Sequence, residues 1–171
     1  MKNMKKVLVL AIVVLGFAAS SFAQVTATAS TTATILTPIA ITKTVDMNFG
    51  NIAVSPTIAG TVVLPTSGVR TLTGGVTLPV VTGTVTAATF NVTGDGTSTY
   101  SITLPSAAIT LNGVPSGTMT VQNFVSNPSG TGTLTAGAQT IKVGATLNVG
   151  AAQAAGTYTN AAGLFVTVNY N

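Results

Sequence analysis

Apolar and polar residues alternate one by one along most of this chain, and that two-residue period predicts β-strands almost throughout. Val25 to Thr34 opens the pattern, with Val25, Ala27, Ala29 and Ala33 on one side and Thr26, Thr28, Ser30, Thr32 and Thr34 on the other. Its apolar side is weak, because alanines bury little area. Ile35 to Thr44 is stronger, with Ile35, Ile39 and Ile41 in alternation. Pro38 cannot donate to a ladder, so this strand belongs at a sheet edge or carries a bulge. Val45, Met47 and Phe49 then alternate with Asp46 and Asn48 until Gly50-Asn51 breaks the run.

Further strands are predicted over 60–64, 69–73, 76–81, 85–93, 99–104, 108–111, 119–125, 132–134, 140–149 and 164–170. Turn residues separate many of them, among them Pro65-Thr66-Ser67-Gly68, Gly74-Gly75, Gly94-Asp95-Gly96, Asn112-Gly113 and Asn127-Pro128-Ser129-Gly130. Gly94-Asp95-Gly96 and Asn112-Gly113 each lie between alternating runs and predict hairpins. No segment holds an apolar 3.6-residue period with caps. Many short strands joined by regular turns imply an all-β antiparallel sandwich or barrel.

The first residues follow another pattern. Lys2, Lys5 and Lys6 precede an apolar run from Val7 to Ala18, and Ser21-Phe22-Ala23 sets small residues where a signal peptidase reads. Residues 1–23 therefore read as a secretory signal peptide cut before Gln24. The run is shorter than the ~20 residues a bilayer span needs, and no later run is long and apolar enough to be a transmembrane helix. The expected organisation is a signal peptide at 1–23, an alternating extension or first strand at 24–34, and a β-domain at 35–171. The expected location is secreted: periplasm, cell surface or outside the cell, with no stable membrane insertion after cleavage.

Losing that segment changes the charge reading. The net charge is +4, but three of the six cations lie in the signal. Lys43, Arg70 and Lys142 remain against Asp46 and Asp95. A nucleic-acid footprint needs clustered Lys and Arg, and none is present. There is no Cys, so no disulfide forms even where the compartment would permit one. Stability must come from packing and from a hydrogen-bonded sheet. Val, Ile, Leu and Ala are plentiful enough for a core, and Thr replaces charge as the water-facing residue.

This composition leaves little chemistry. General acid–base work needs a titratable group held near its proton, and His is absent. Asp46 reads as an outward strand residue and Asp95 as a turn residue. Neither His nor Cys is available for zinc, and Asp95 lacks the neighbouring acids of a calcium loop. A Ser–Lys dyad through Lys43 or Lys142 has no motif behind it. No catalytic, cofactor or metal residue is expected. Phe49, Phe90, Tyr100, Phe124, Tyr158, Phe165 and Tyr170 are spread over separate strands and read as a core layer rather than a sugar-stacking platform.

Three elements together carry a resemblance. Val45-Asp46-Met47-Asn48-Phe49-Gly50 gives a DxxFG element, Ala155-Gly156-Thr157-Tyr158-Thr159 an AGTYT element, and Phe165 to Asn171 an alternating terminal strand with a penultimate tyrosine. With the signal peptide, the chain resembles the exported bacterial domain of unknown function 4402. That family is similar in turn to the pilin and spore-coat-U-like subunits of chaperone–usher systems. The resemblance implies an incomplete immunoglobulin-like, pilin-like β-sandwich. It implies Val25, Ala27, Ala29, Ala33 and Ile35 as a strand-donor face, and Leu164, Val166, Val168 and Tyr170 as an acceptor-side terminal strand. The implied partners are copies of the chain itself, through edge strands, and a periplasmic chaperone. The chain departs from many pilins in lacking a disulfide. The extension reads equally well as the first strand of a complete sandwich.

Two function classes follow. One is a non-enzymatic exported structural or surface subunit, pilus-like or coat-like, assembling by strand addition. The other is a monomeric binding module, an adhesin or carbohydrate-binding domain, which would show paired exposed aromatics or a polar cleft. An enzyme would need Asp46 and Asp95 together in a cleft.

Overall fold

The computed structural model describes residues 24–161 and 163–171; the expected signal peptide lies outside the described residues. Residues 24–34 form no strand, and their side chains are exposed. The alternation there is not realised as a strand among the described residues. Alanines and threonines bury too little apolar area to hold such a segment by packing.

From Ile35 onward the described residues are all β, with no helix. The strands in chain order are β1 (Ala40–Val45), β2 (Ala53–Val54), β3 (Gly60–Leu64), β4 (Thr71–Gly74), β5 (Val76–Thr77), β6 (Ala88–Thr93) and β7 (Thr99–Thr103). Then follow β8 (Ile109–Val114), β9 (Thr118–Asn127), β10 (Thr131–Thr133), β11 (Ala138–Val149), β12 (Thr157–Thr159) and β13 (Thr167–Tyr170). All their pairings are antiparallel.

The largest sheet has eight strands in the order β1-β6-β11-β9-β8-β12, with β3 and β4 joined to it through β11. A three-stranded sheet runs β10-β7-β13, and β2 pairs with β5. Strand β11 holds the large sheet together. On one edge its first half pairs with β6, from Ala138 to Val143, and its second half with β3, from Ala145 to Val149. On the other edge it pairs with β9. The changeover falls at Gly144, where a Cβ would lie 2.3 Å from the Leu64 carbonyl oxygen. A bulge sits opposite, with Asn123 at φ 53°, a conformation that asparagine tolerates better than most residues.

Two apolar cores result. Phe90 and Val92 of β6 and Ile141 and Val143 of β11 pack against Tyr100 and Ile102 of β7, Leu134 and Val168. This core lies between the large sheet and the three-stranded one. The second gathers Phe49, Val62, Leu64, Val76, Val121, Leu147 and Val149. Tyr100 is fully buried, and its hydroxyl donates to Gln139 Oε1 at 2.7 Å. The same oxygen accepts the Thr133 N–H at 2.9 Å. On the large sheet the polar positions bond across strands: Thr61 Oγ1 to Thr73 Oγ1 at 2.7 Å, and Asn148 Nδ2 to Thr120 Oγ1 at 3.1 Å.

Three sequence expectations need correction. Asn112-Gly113 is not the turn of its hairpin; both residues lie within β8, and the turn falls at 115–117. A Cβ at Gly113 would meet the Tyr158 ring at 2.5 Å, so this glycine leaves room for an aromatic instead of making a bend. Gly94-Asp95-Gly96 joins β6 to β7, which lie in different sheets, so it is a corner and not a hairpin. The strand expected over 76–81 stops at Thr77, just ahead of Pro79. By contrast, Pro65 to Gly68 does close the β3–β4 hairpin, with the Gly68 N–H bonded to the Pro65 carbonyl at 2.9 Å. Strand β1 is an edge strand starting just past Pro38.

Two measurements check this architecture. Gly144→Ala is expected to lower stability by about 2–3 kcal/mol in chemical denaturation, because backbone on the neighbouring strand must shift. Burial pushes the Tyr100 hydroxyl pKa above its usual 10.0. The stability this raised value contributes is complete below the unfolded value, near pH 10, and is lost as pH rises through the folded one. Unfolding midpoints should fall above about pH 10, and Tyr100→Phe should flatten that fall while costing about 1 kcal/mol at neutral pH.

Candidate functional site

The two ends of the folded domain meet at one place. Among the described residues, strand β13 pairs with β7 on one side and with no strand on the other. The strand expected over 164–170 is shorter: Val168 and Tyr170 lie in β13, and Leu164 and Val166 precede it without pairing; all four still turn inward and join the first core, while Phe165, Thr167 and Asn169 face out. The Ile102 N–H bonds to the Gly130 carbonyl, away from β13. Backbone groups alternate between the two edges along an antiparallel ladder. Its partner Val168, and Tyr170 two residues on, therefore turn their backbone N–H and C=O to the open edge. That edge carries no charged side chain and no bulge.

Tyr170 ends this strand and ties it to two distant segments. Its hydroxyl accepts the Asp95 N–H at 2.6 Å and donates to the Thr37 carbonyl at 2.8 Å. A Cβ on Gly94 would lie 2.2 Å from that hydroxyl oxygen. Ile39 and Ile41 pack against the same core as Val168. The chain just ahead of β1 is thus fastened to the end of β13. Ile35, placed on the expected donor face with Val25, Ala27, Ala29 and Ala33, is 97% exposed.

The other free edge nearby is differently made. Strand β1 bulges between Lys43 and Val45, and Thr44 Oγ1 bonds to the Thr89 carbonyl at 3.0 Å. Lys43 pairs with Asp46 at its end. Charge and a bulge are two ways in which natural edges avoid further pairing. Strand β1 has both, and β13 has neither.

A cleft of about 1170 Å³ lies over the second half of the large sheet. Leu111, Met119, Val121 and Phe124 line it from β8 and β9, and residues 46–54 and 153–161 also border it. The DxxFG and AGTYT elements belong to these borders, and both are built for shape. Asn48 pairs with Thr86 through both backbone groups, and its side-chain oxygen accepts the Gly50 N–H at 2.8 Å. Phe49 is buried, and Gly50, at φ 69°, lies where a Cβ would be 2.4 Å from the Thr82 carbonyl. Arg70 donates to the carbonyls of Phe49 and Asn51. In the second element, Gly156 passes so close to the Val114 carbonyl that a Cβ would stand 2.2 Å from it. The Tyr158 hydroxyl accepts from Gln153 Nε2 at 2.8 Å and donates to the Ala154 carbonyl at 2.7 Å.

The carboxylates do not pair. Thr89, opposite Val45, and Thr93, opposite Ala40, mark the ends of the β1–β6 ladder. Asp46 lies past one end and Asp95 past the other. The ladder alone spans roughly 13 Å at ~3.4 Å per residue. No group of three or more His, Cys, Asp or Glu converges among the described residues. Of the seven aromatics among the described residues, Phe49, Phe90 and Tyr100 are buried, Phe124, Tyr158 and Tyr170 half-buried, and Phe165 is 57% exposed.

Sequence reasoning missed the partners of Tyr170 and the carbonyl-capping role of Arg70. These contacts join residues 133, 75, 21 and 19 positions apart, and no local pattern marks them.

Residues 39–170 match the family described as "Domain of unknown function (DUF4402)". No curated protein and no solved structure matches the chain.

If the DxxFG element is architectural, its members should respond unequally. Gly50→Ala should destabilise by more than about 2 kcal/mol, since it meets both a clash and an unfavourable φ. Asp46→Asn should change stability by less than about 0.5 kcal/mol, as expected for an exposed ion pair. Urea titration of the two variants measures both values.

Proposed function

The chain belongs to the DUF4402 family, and from that premise we propose that it is a non-enzymatic exported surface protein, a pilin-like immunoglobulin-type β-sandwich whose copies join by β-strand addition. The observation that carries this reading is a pair of unfilled halves in one chain. Residues 24–34 have strand alternation and no strand of their own. Strand β13 has an uncharged, unbulged edge with backbone groups turned outward. An extended segment added to such an edge gains main-chain hydrogen bonds first and side-chain fit second. Val25 and Ile35 would supply most of the apolar contact, and Ala27, Ala29 and Ala33 would allow close approach. A periplasmic chaperone would cover the edge before assembly.

The two halves also limit the strength of the joint. Each added backbone hydrogen bond contributes about 0.5–1.5 kcal/mol, and a fully buried large aliphatic side chain about 1.5–3 kcal/mol. A short, alanine-rich donor would give a reversible association unless further contacts add to it.

A second reading, a monomeric binding module, draws on the cleft between the two motif elements, where polar residues such as Asn48, Asn51 and Gln153 stand beside apolar ones. Its aromatic support is thin, because Phe165 is the one exposed aromatic among the described residues.

Removing residues 24–34 separates the two readings. Under strand addition, the exported chain should self-associate in light scattering coupled to gel filtration, and the truncated chain should run as a folded monomer. If both forms are monomeric at every concentration tested, strand addition is wrong and the binding-module reading takes its place.

A further inference from the structure

Tyr170 does more than fill the end of a core. Its ring lies at the end of the open-edged strand, and its hydroxyl holds the Asp95 N–H of the β6–β7 corner and the Thr37 carbonyl ahead of β1 at 2.6 and 2.8 Å. Of residues 37–39, Ile39 alone reaches the core, and Ile39 is only half-buried. Thr37 and Pro38 are exposed, and Leu36 before them is 48% exposed. This short stretch therefore has one apolar anchor and one tyrosine hydrogen bond. Past it, at Ala40, the β1–β6 ladder begins.

We propose that residues 37–39 form a strap over the terminal seam between β1 and β13, and that the Tyr170 hydroxyl is its latch. The inference rests on the strand-addition reading for its purpose, since an opened strap would loosen the end of the already open β13 edge where a second copy would add. Its physical content is independent of that purpose. Few buried contacts and a single polar tie place the strap among the segments that open locally, well before the sheet unfolds. Gly94 is part of the device. The hydroxyl occupies the space where any side chain at 94 would begin, so only glycine leaves the latch seated.

The test uses two variants that break the latch differently. Tyr170→Phe keeps the ring and removes the hydroxyl. Gly94→Ala keeps the tyrosine and pushes its hydroxyl out of place. Amide hydrogen exchange on the exported chain is followed at Asp95, whose N–H the hydroxyl accepts, and at residues 40–42, where the strap runs into the β1–β6 ladder, with β6 and β11 as internal references. Both variants should raise exchange at these positions about tenfold, near the upper end of what one hydrogen bond contributes, and leave the references unchanged. Unchanged exchange at Asp95 and 40–42 in Tyr170→Phe overturns the latch. A uniform rise over the whole domain also overturns it, because Tyr170 would then be a general packing residue. Light scattering on the same samples judges the purpose separately. A local rise in exchange with no self-association in either variant upholds the latch and counts against strand addition alone.

Discussion

Strand β11 carries the pairing of the large sheet, and its ability to serve two partners on one edge depends on the close approach at Gly144. A twelve-residue strand is long enough for β6 to take its first half and β3 its second. The two partners meet end to end, and their backbones crowd the strand where one gives way to the other. The missing side chain at Gly144 makes room for the Leu64 carbonyl and the start of the Pro65 turn. From that junction follow both cores, since β6 brings its apolar face over the three-stranded sheet and β3 brings its own over the second cluster. The bulge on β9 opposite the same glycine lets a third strand follow the bend.

Scarce charge takes on a different meaning once the edges are known. Among so few charged side chains, Lys43 and Asp46 both stand at β1, whose edge is also bulged. Arg70 turns back onto two carbonyls of the DxxFG loop. The edge of β13 has no such guard, although it lies at the same seam. A sheet whose polar positions carry threonine hydroxyls rather than ions has few means of marking an edge as closed, and here those means lie on one side. The asymmetry supports reading the terminal seam as the place where another strand would be received.

Much of this architecture is legible in the sequence, for a physical reason. Side-chain alternation reports which face of a strand is buried, and that signal is local. Strand β3 coincides with its predicted span, and β7, β9 and β11 lie close to theirs. The inward set Leu164, Val166, Val168 and Tyr170 follows the same rule. The signal fails where a residue's role is set from far away. Gly113 looks like a turn residue because nothing nearby reveals Tyr158 against it. Gly94-Asp95-Gly96 looks like a hairpin because the choice between turning back and crossing to another sheet is made by the Tyr170 hydroxyl and the Gly137 backbone, whose hydrogen bonds hold the corner. Residues 24–34 show the reverse failure. They have the alternation of a strand but lack the apolar area to hold one within the chain.

Membership of a family of unknown function names no activity, so a functional reading has to start from the groups of the molecule itself. The aspartates are at opposite ends of a ladder, and the motif glycines and tyrosines are taken up by backbone approach and hydrogen bonding. Among the described residues no buried side-chain nitrogen or oxygen lacks a partner. What the fold does leave unused is backbone: the outer edge of β13, and an extension with strand pattern and no sheet. Unpaired strand edges favour further pairing unless something blocks them. In this molecule one tyrosine hydroxyl fastens the end of β13 to the segment ahead of β1 and to the β6–β7 corner, while the outer backbone edge of β13 stays unpaired among the described residues.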